Sequence, residues 1–257
     1  MGKQTSQEIR STVTEEGYME ISIIESQIPK PKENEVLVRM EATPINPSDL
    51  GRLLSHAADL SDIKTFEKNQ MSKIKIKLKA NLMTPLKPRL NQSLSLGNEG
   101  AGIVVDAGSK VKGMVGKTVG LAGGGMYCQY RCMPANNCLV MSEQTTPEEA
   151  ASSFVNPMTA LGFIETMKHE GHQALIHTAA SSNLGKMLIK ICKNDSIALI
   201  NIVRDSQQIE SLKDIGAKFV CSTSEENFED KLIDSIRETV ATLAFYATGG
   251  GNEGKLA

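Results

Sequence analysis

Residues Ala174–Arg204 read ALIHTAASSNLGKMLIKICKNDSIALINIVR. Ala174–His177 is a short apolar run, Thr178–Gly185 is small and polar, and Lys186–Lys193 sets Met187, Leu188, Ile191 and Cys192 at helical spacing. Ile197–Val203 is apolar again. The pattern predicts strand, tight turn, helix and strand, which is one βαβ unit. Parallel strands joined through a helix bring the helix N-terminus to the strand ends, where free N–H groups and the helix dipole favour an anionic phosphate.

A dinucleotide turn would read G-x-x-G-x-x-G. Here the three places hold Ala179, Ser182 and Gly185. Ala and Ser are small enough for close backbone approach to a pyrophosphate, and Ser181, Ser182 and Asn183 add side-chain donors. A plain buried crossover would also need small residues where helix meets strand. Arg204 ends the second strand, where an acid would select a ribose 2′-hydroxyl and an Arg a 2′-phosphate, so NADPH is preferred over NADH. Asp205 follows directly and would either reverse that choice or pair with Arg204 at the surface.

The chain has 257 residues, 40% hydrophobic and 23% charged, the composition of a globular protein with room for two domains. A net charge of −2 gives no general attraction to nucleic acid or anionic membrane. No apolar run approaches the ~20 residues that span a bilayer, and the N-terminus lacks a signal pattern, so the cytoplasm is the default expectation. Gly2 with Ser6 fits the short N-myristoylation pattern. The five cysteines, Cys128, Cys132, Cys138, Cys192 and Cys221, lack paired C-x-x-C spacing and read as free thiols rather than metal ligands.

Up to about Glu16 the chain is polar and expected to fray. Tyr18–Ile24 and Glu35–Ala42 alternate apolar and polar residues across a proline-marked loop and are expected to pair antiparallel. Asn46-Pro47-Ser48-Asp49 opens a short helix with Ser48 or Asp49 as cap. Between residues 55 and 95, Lys73, Lys75, Lys77 and Lys79 alternate with Ile74, Ile76 and Leu78. That face suits an edge strand protected by charge; the alternatives are a phosphate-facing strand and a surface insertion. Leu96–Val105, Thr118–Leu121 and Met126–Met133 read as further strands between glycine turns, together suggesting a partly closed barrel. Thr145-Thr146-Pro147-Glu148-Glu149 then starts a helix, and helices alternate with strands from there. Ser206–Ile215, Lys218–Ser222, Glu225–Glu238 with an apolar face of Phe228, Leu232, Ile233 and Ile236, and Ala241–Ala247 continue that alternation. The boundary is expected near residues 145–155, giving a domain 1–150 with an insertion around 55–95 and a domain 151–257. The chain ends in Gly249–Gly254 and beyond after a fourth strand, where a doubly wound sheet usually has about six.

Asn46-Pro47-Ser48-Asp49, Gly97-Asn98-Glu99-Gly100, Asn156-Pro157-Met158-Thr159-Ala160, the turn AASSNLG and Asn201-Ile202-Val203-Arg204-Asp205 together resemble the medium-chain dehydrogenase/reductases. The nearest branch is the zinc-independent quinone oxidoreductases and NADPH-dependent 2-enoyl thioester reductases. The resemblance implies an α/β chain with an N-terminal GroES-like β-barrel, a Rossmann domain lacking its last strands, and a cofactor in the cleft between them. It carries Asn156 toward the nicotinamide ribose, Ser181, Ser182, Asn183 and Leu184 to the diphosphate beside Gly185, and Arg204 to the 2′-phosphate. Zinc is not expected, because neutral Asn46 and Asn98 stand at two ligand positions of the zinc-dependent members. The branch's catalytic tyrosine would fall near Ala57, where there is none; His56 is next to it, either a proton donor or an ordinary surface imidazole. Asn46, the surroundings of Asp49, and Thr159 are the candidate donors to a developing enolate. The expected function is metal-free hydride transfer from NADPH to a quinone or activated C=C bond of a small-molecule substrate. The alternative is a truncated, catalytically incomplete relative that binds a nucleotide or a partner chain. Family members run longer and form a dimer edge that this sequence lacks; a homo-oligomer is a possible partner state without that edge.

Overall fold

The computed structural model describes residues 5–54, 63–68 and 71–247. The chain divides into two compact units, residues 1–155 and 156–257.

The first unit carries two antiparallel sheets. One contains β1 (Thr5–Val13), β2 (Tyr18–Gln27), β4 (Lys64–Lys68), β5 (Met71–Lys77) and β6 (Leu94–Ser95), in the order β4-β5-β2-β1-β6. The other contains β3 (Glu35–Ala42), β7 (Glu99–Ala107), β8 (Thr118–Ala122), β9 (Tyr130–Pro134) and β10 (Cys138–Val140), in the order β10-β8-β7-β3-β9. Val36, Val38, Val104, Val119, Leu121, Met126 and Met133 form the core of the second sheet. Short helices α1 (Pro47–Leu54), α2 (Met83–Leu86) and α3 (Pro147–Ala150) connect the strands. The start of α3 is a full capping box: Thr146 Oγ1 accepts from Glu149 N–H, and the Glu149 carboxylate accepts from Thr146 N–H.

Several expectations for this unit need correction. The N-terminal segment does not fray: β1 pairs with β2 from Thr5↔Gln27 to Val13↔Met19, and Ser6, Ser11 and Val13 are buried. Two of its three buried positions carry serine, which hides the strand from a hydropathy reading, and Gly17 at φ +79° closes the hairpin. β2 and β3 do not pair; they belong to different sheets. β7 starts at Glu99 and β9 at Tyr130, each later than expected, since Met126 and Tyr127 pair instead with Gly97 and Leu96 in a loop. The lysine strand β5 is not an edge: β4 covers it, and Lys73 and Lys75 both pair with Glu20 on β2. Burial raises the Glu20 carboxyl pKa, but bonds from the two ammonium groups outweigh it and hold the pKa below the ordinary value.

The second unit is a parallel four-stranded sheet of β11 (Ala174–His177), β12 (Ala198–Val203), β13 (Phe219–Ser222) and β14 (Leu243–Phe245), ordered β13-β12-β11-β14. Its helices are α4 (Val155–Glu170), α5 (Asn183–Asn194), α6 (Ile209–Asp214) and α7 (Phe228–Thr239). Alternate residues of β12 serve opposite layers: Leu199 and Val203 pack with α4, α5 and α6, while Ile200 and Ile202 pack with α7. This is a Rossmann-like sheet. Strand order reverses between β11 and β14, the switch point at which such sheets bind ligands. On α7, Phe228, Leu232 and Ile236 pack inward, whereas Ile233 is exposed.

Candidate functional site

The turn from β11 to α5 places the expected phosphate-binding residues at one helix N-terminus. Ser182 is the N-cap, its Oγ accepting from Gly185 N–H at 3.1 Å. Ala179 adopts φ +55°, the conformation a glycine would hold without strain. Gly185 packs so tightly that a Cβ there would stand 2.2 Å from the Ala180 carbonyl oxygen. Among the described residues, the N–H groups of Ser181, Asn183 and Leu184 have no hydrogen-bond acceptor. Three donors at a dipole-positive helix end, with glycine letting the helix close on the turn, fit a pyrophosphate.

Arg204 follows β12 and is exposed, with no ion pair to Asp205 among the described residues. Asp205 is occupied otherwise: its Oδ1 accepts from Gln207 N–H at 2.9 Å and caps the turn Ser206–Gln208. Asn156 and Thr159 lie half-buried on the first turns of α4.

A separate cluster forms within the first unit around α1. Asn46, Asp49 and Glu99 are at most 4% exposed. Asn46 Nδ2 donates to Glu99 Oε1 at 2.9 Å, and Glu99 Oε2 accepts from the N–H groups of Phe154 and Val155. Asp49 Oδ2 accepts from Asn46 N–H and Oδ1 from Asn98 N–H. Asp49 thus works from within the first helical turn, and Ser48 instead accepts from Asn98 Nδ2. With both carboxylate oxygens held by backbone, Asp49 fixes the loop and offers no donor of its own. Tyr127 joins the cluster: its hydroxyl donates to Pro44 O at 3.1 Å, and its ring lies against Gly97. Burial, then the Asp49 charge, pushes the Tyr127 hydroxyl pKa well up. The organising roles of Glu99 and Tyr127 escape a motif reading, because both depend on strands brought together by the fold. His56 lies outside the described residues.

All five cysteines are free, and burial raises the Cys128 and Cys138 thiols to about 11 and Cys192 to about 12, which keeps them protonated. Among the described residues, no three His, Cys, Asp or Glu side chains gather at metal-binding range, and no helix is long and apolar enough to cross a membrane.

Residues 32–143 match the alcohol dehydrogenase GroES-like domain family. The mitochondrial enoyl-acyl-carrier-protein reductase of Caenorhabditis elegans is 31% identical over 232 residues, covering 86% of this chain and 57% of that protein. The Xenopus tropicalis protein of the same name is 29% identical over 206 residues, covering 75% of this chain and 49% of its own length. In fold, the chain is similar to Escherichia coli quinone oxidoreductase solved with NADPH, with a TM-score of 0.67 and 21% identity over 97% of this chain and 68% of that one. The chain belongs to the medium-chain dehydrogenase/reductase superfamily. Within it, a mutant form of the enoyl thioester reductase from Candida tropicalis gives a TM-score of 0.66 at 20% identity, covering 98% of this chain and 70% of that one. This dehydrogenase/reductase chain spans about half the length of the relatives it matches first, at 49% and 57%. Their names place those relatives in mitochondria, so they lend no support to a cytoplasmic location.

Proposed function

We infer that this chain binds NADPH and directs its hydride to an electron-poor carbon–carbon double bond or a quinone, without a metal. The turn carries the reading: among the described residues three N–H groups at the start of α5 have no acceptor, and the backbone of Gly185 closes on Ala180. In this reading Ser181, Ser182, Asn183 and Leu184 hold the diphosphate, Arg204 the 2′-phosphate, and Asn156 the nicotinamide ribose. When bound, the nicotinamide supplies the hydride. Asp205, already engaged as a cap, leaves Arg204 free to select the phosphorylated adenosine. Asn46 keeps one Nδ2 hydrogen beyond its bond to Glu99 for a developing enolate oxygen. The names of the enoyl reductase and quinone oxidoreductase relatives support these two substrate classes.

The test is to titrate the purified chain with NADPH and with NADH by nucleotide fluorescence, then supply crotonyl thioester or benzoquinone. NADPH is expected to bind in preference and to be oxidised with either acceptor. Binding without turnover would leave the catalytically incomplete relative as the reading, and no binding of either nucleotide would end both.

A further inference from the structure

A cavity of about 280 Å³ opens at the far end of α5 from Ser182. The α5 residues that line it, Ile189, Cys192 and Lys193, lie about 10–16 Å along the helix from Ser182. Ile189, Cys192 and Lys193 of α5, Asn201 of β12, and Ala217 and Lys218 before β13 line it. The wall is apolar at Ile189 and Ala217, and at its base stands a polar group of unusual kind.

Asn201 is fully buried. Its Nδ2 donates to Leu199 O at 3.2 Å and to Phe219 O at 3.1 Å, so both amide hydrogens are used. Its Oδ1 is buried with no partner among the described residues. An acceptor left so is costly and calls for a donor to occupy the site. One water fills only about 30 Å³, far less than this cavity. At the rim, the exposed Lys193 and Lys218 have no carboxylate partner among the described residues. The Lys193 side chain folds over Gly216, its Nζ 3.0 Å from where a Cβ would stand. Glu238 adds one carboxylate, leaving the rim with two cations against one anion.

We propose that this cavity binds a small organic anion bearing an O–H or N–H donor, the donor reaching Asn201 Oδ1, the carbon body lying on Ile189 and Ala217, and the anion meeting Lys193 and Lys218. This second site is independent of the nucleotide turn, and its ligand does not compete with NADPH.

The experiment records amide NMR shifts of the full chain titrated with γ-hydroxybutyrate, which has both donor and carboxylate, and with butyrate, which lacks the donor. Saturable shifts are expected at Ile197–Asn201 and Gly216–Phe219 and not at Ser181–Gly185. Butyrate is expected to bind about tenfold more weakly, the loss of one hydrogen bond to a buried acceptor. Asn201→Leu risks the fold, so the exposed Lys218→Met serves as the variant and should weaken γ-hydroxybutyrate several-fold. Equal binding of the two acids, an unchanged affinity in K218M, or shifts confined to Ser181–Gly185 would overturn the proposal. If water alone satisfies Oδ1, neither acid moves these amides, and the proposal falls equally.

Discussion

Asn46 and Glu99, from the loop after β3 and the start of β7, meet in a 2.9 Å hydrogen bond with both side chains almost wholly out of solvent. Glu99 spends its other oxygen on two adjacent backbone N–H groups, so one carboxylate satisfies three donors from two separate segments. A buried acceptor of this kind is expensive to disturb, because each donor it abandons stays dry.

Glu99→Gln therefore exchanges an acceptor oxygen for an amide that points donors at donors. We expect a loss of about 2–4 kcal/mol, read as a lower urea midpoint with unchanged slope. A variant as stable as the parent would remove Glu99 from its organising place.

Ser182 separates capping from phosphate binding. Ser182→Ala should cost about 1 kcal/mol of stability through the lost bond to Gly185 N–H. Ser182→Asp should keep the cap and the stability but repel a phosphate, weakening NADPH in a fluorescence titration. Full NADPH affinity in the Asp variant would contradict a pyrophosphate at this turn.

Arg204→Gln should weaken NADPH by about ten- to a hundredfold and leave NADH nearly unchanged, since a charge-assisted contact to phosphate contributes about 1.5–3 kcal/mol. Equal losses for both nucleotides would point away from a 2′-phosphate contact.

His177 predicts acid sensitivity. It is fully buried on β11, its Nδ1 lies 3.4 Å from Phe245 O, Nε2 has no partner among the described residues, and Phe163 packs edge-on against the ring. Burial lowers its pKa below the ordinary 6.5, against a smaller opposing push from the Phe245 carbonyl. The unfolded chain takes a proton near pH 6.5 that the folded chain refuses, so stability falls as pH drops through 6.5 toward the folded pKa. The slope reaches at most about 1.4 kcal/mol per pH unit from this one group. Urea midpoints between pH 7.5 and 5.5 should decline more in the parent than in His177→Gln; parallel declines would acquit His177.

Much of the second unit is legible because its signals are local. Ala174–His177 is a strand with those bounds, β12 begins one residue inside the expected Ile197–Val203, and the Ser182 cap sits where small polar residues give way to helical spacing. The first unit is less legible. β1 hides behind serines that only its neighbours bury, and β2 and β3 each look half-buried without revealing which strand covers them. The lysine strand shows the same gap, since alternation tells which residues share a face and not that Glu20 lies opposite.

The sequence by itself determined the βαβ unit, the small-residue turn with its cap, the capping box before α3 and the family the motifs resemble, all properties of residues a few positions apart. Only the tertiary structure decided that Glu99 ties Asn46 to the end of its unit, that Asp49 is spent on backbone donors, and that Asn201 buries an acceptor beside a cavity. The physical reason is range: helical and turn propensities act within a few residues, whereas the partner of a buried polar atom is set by strand pairing between segments far apart along the chain.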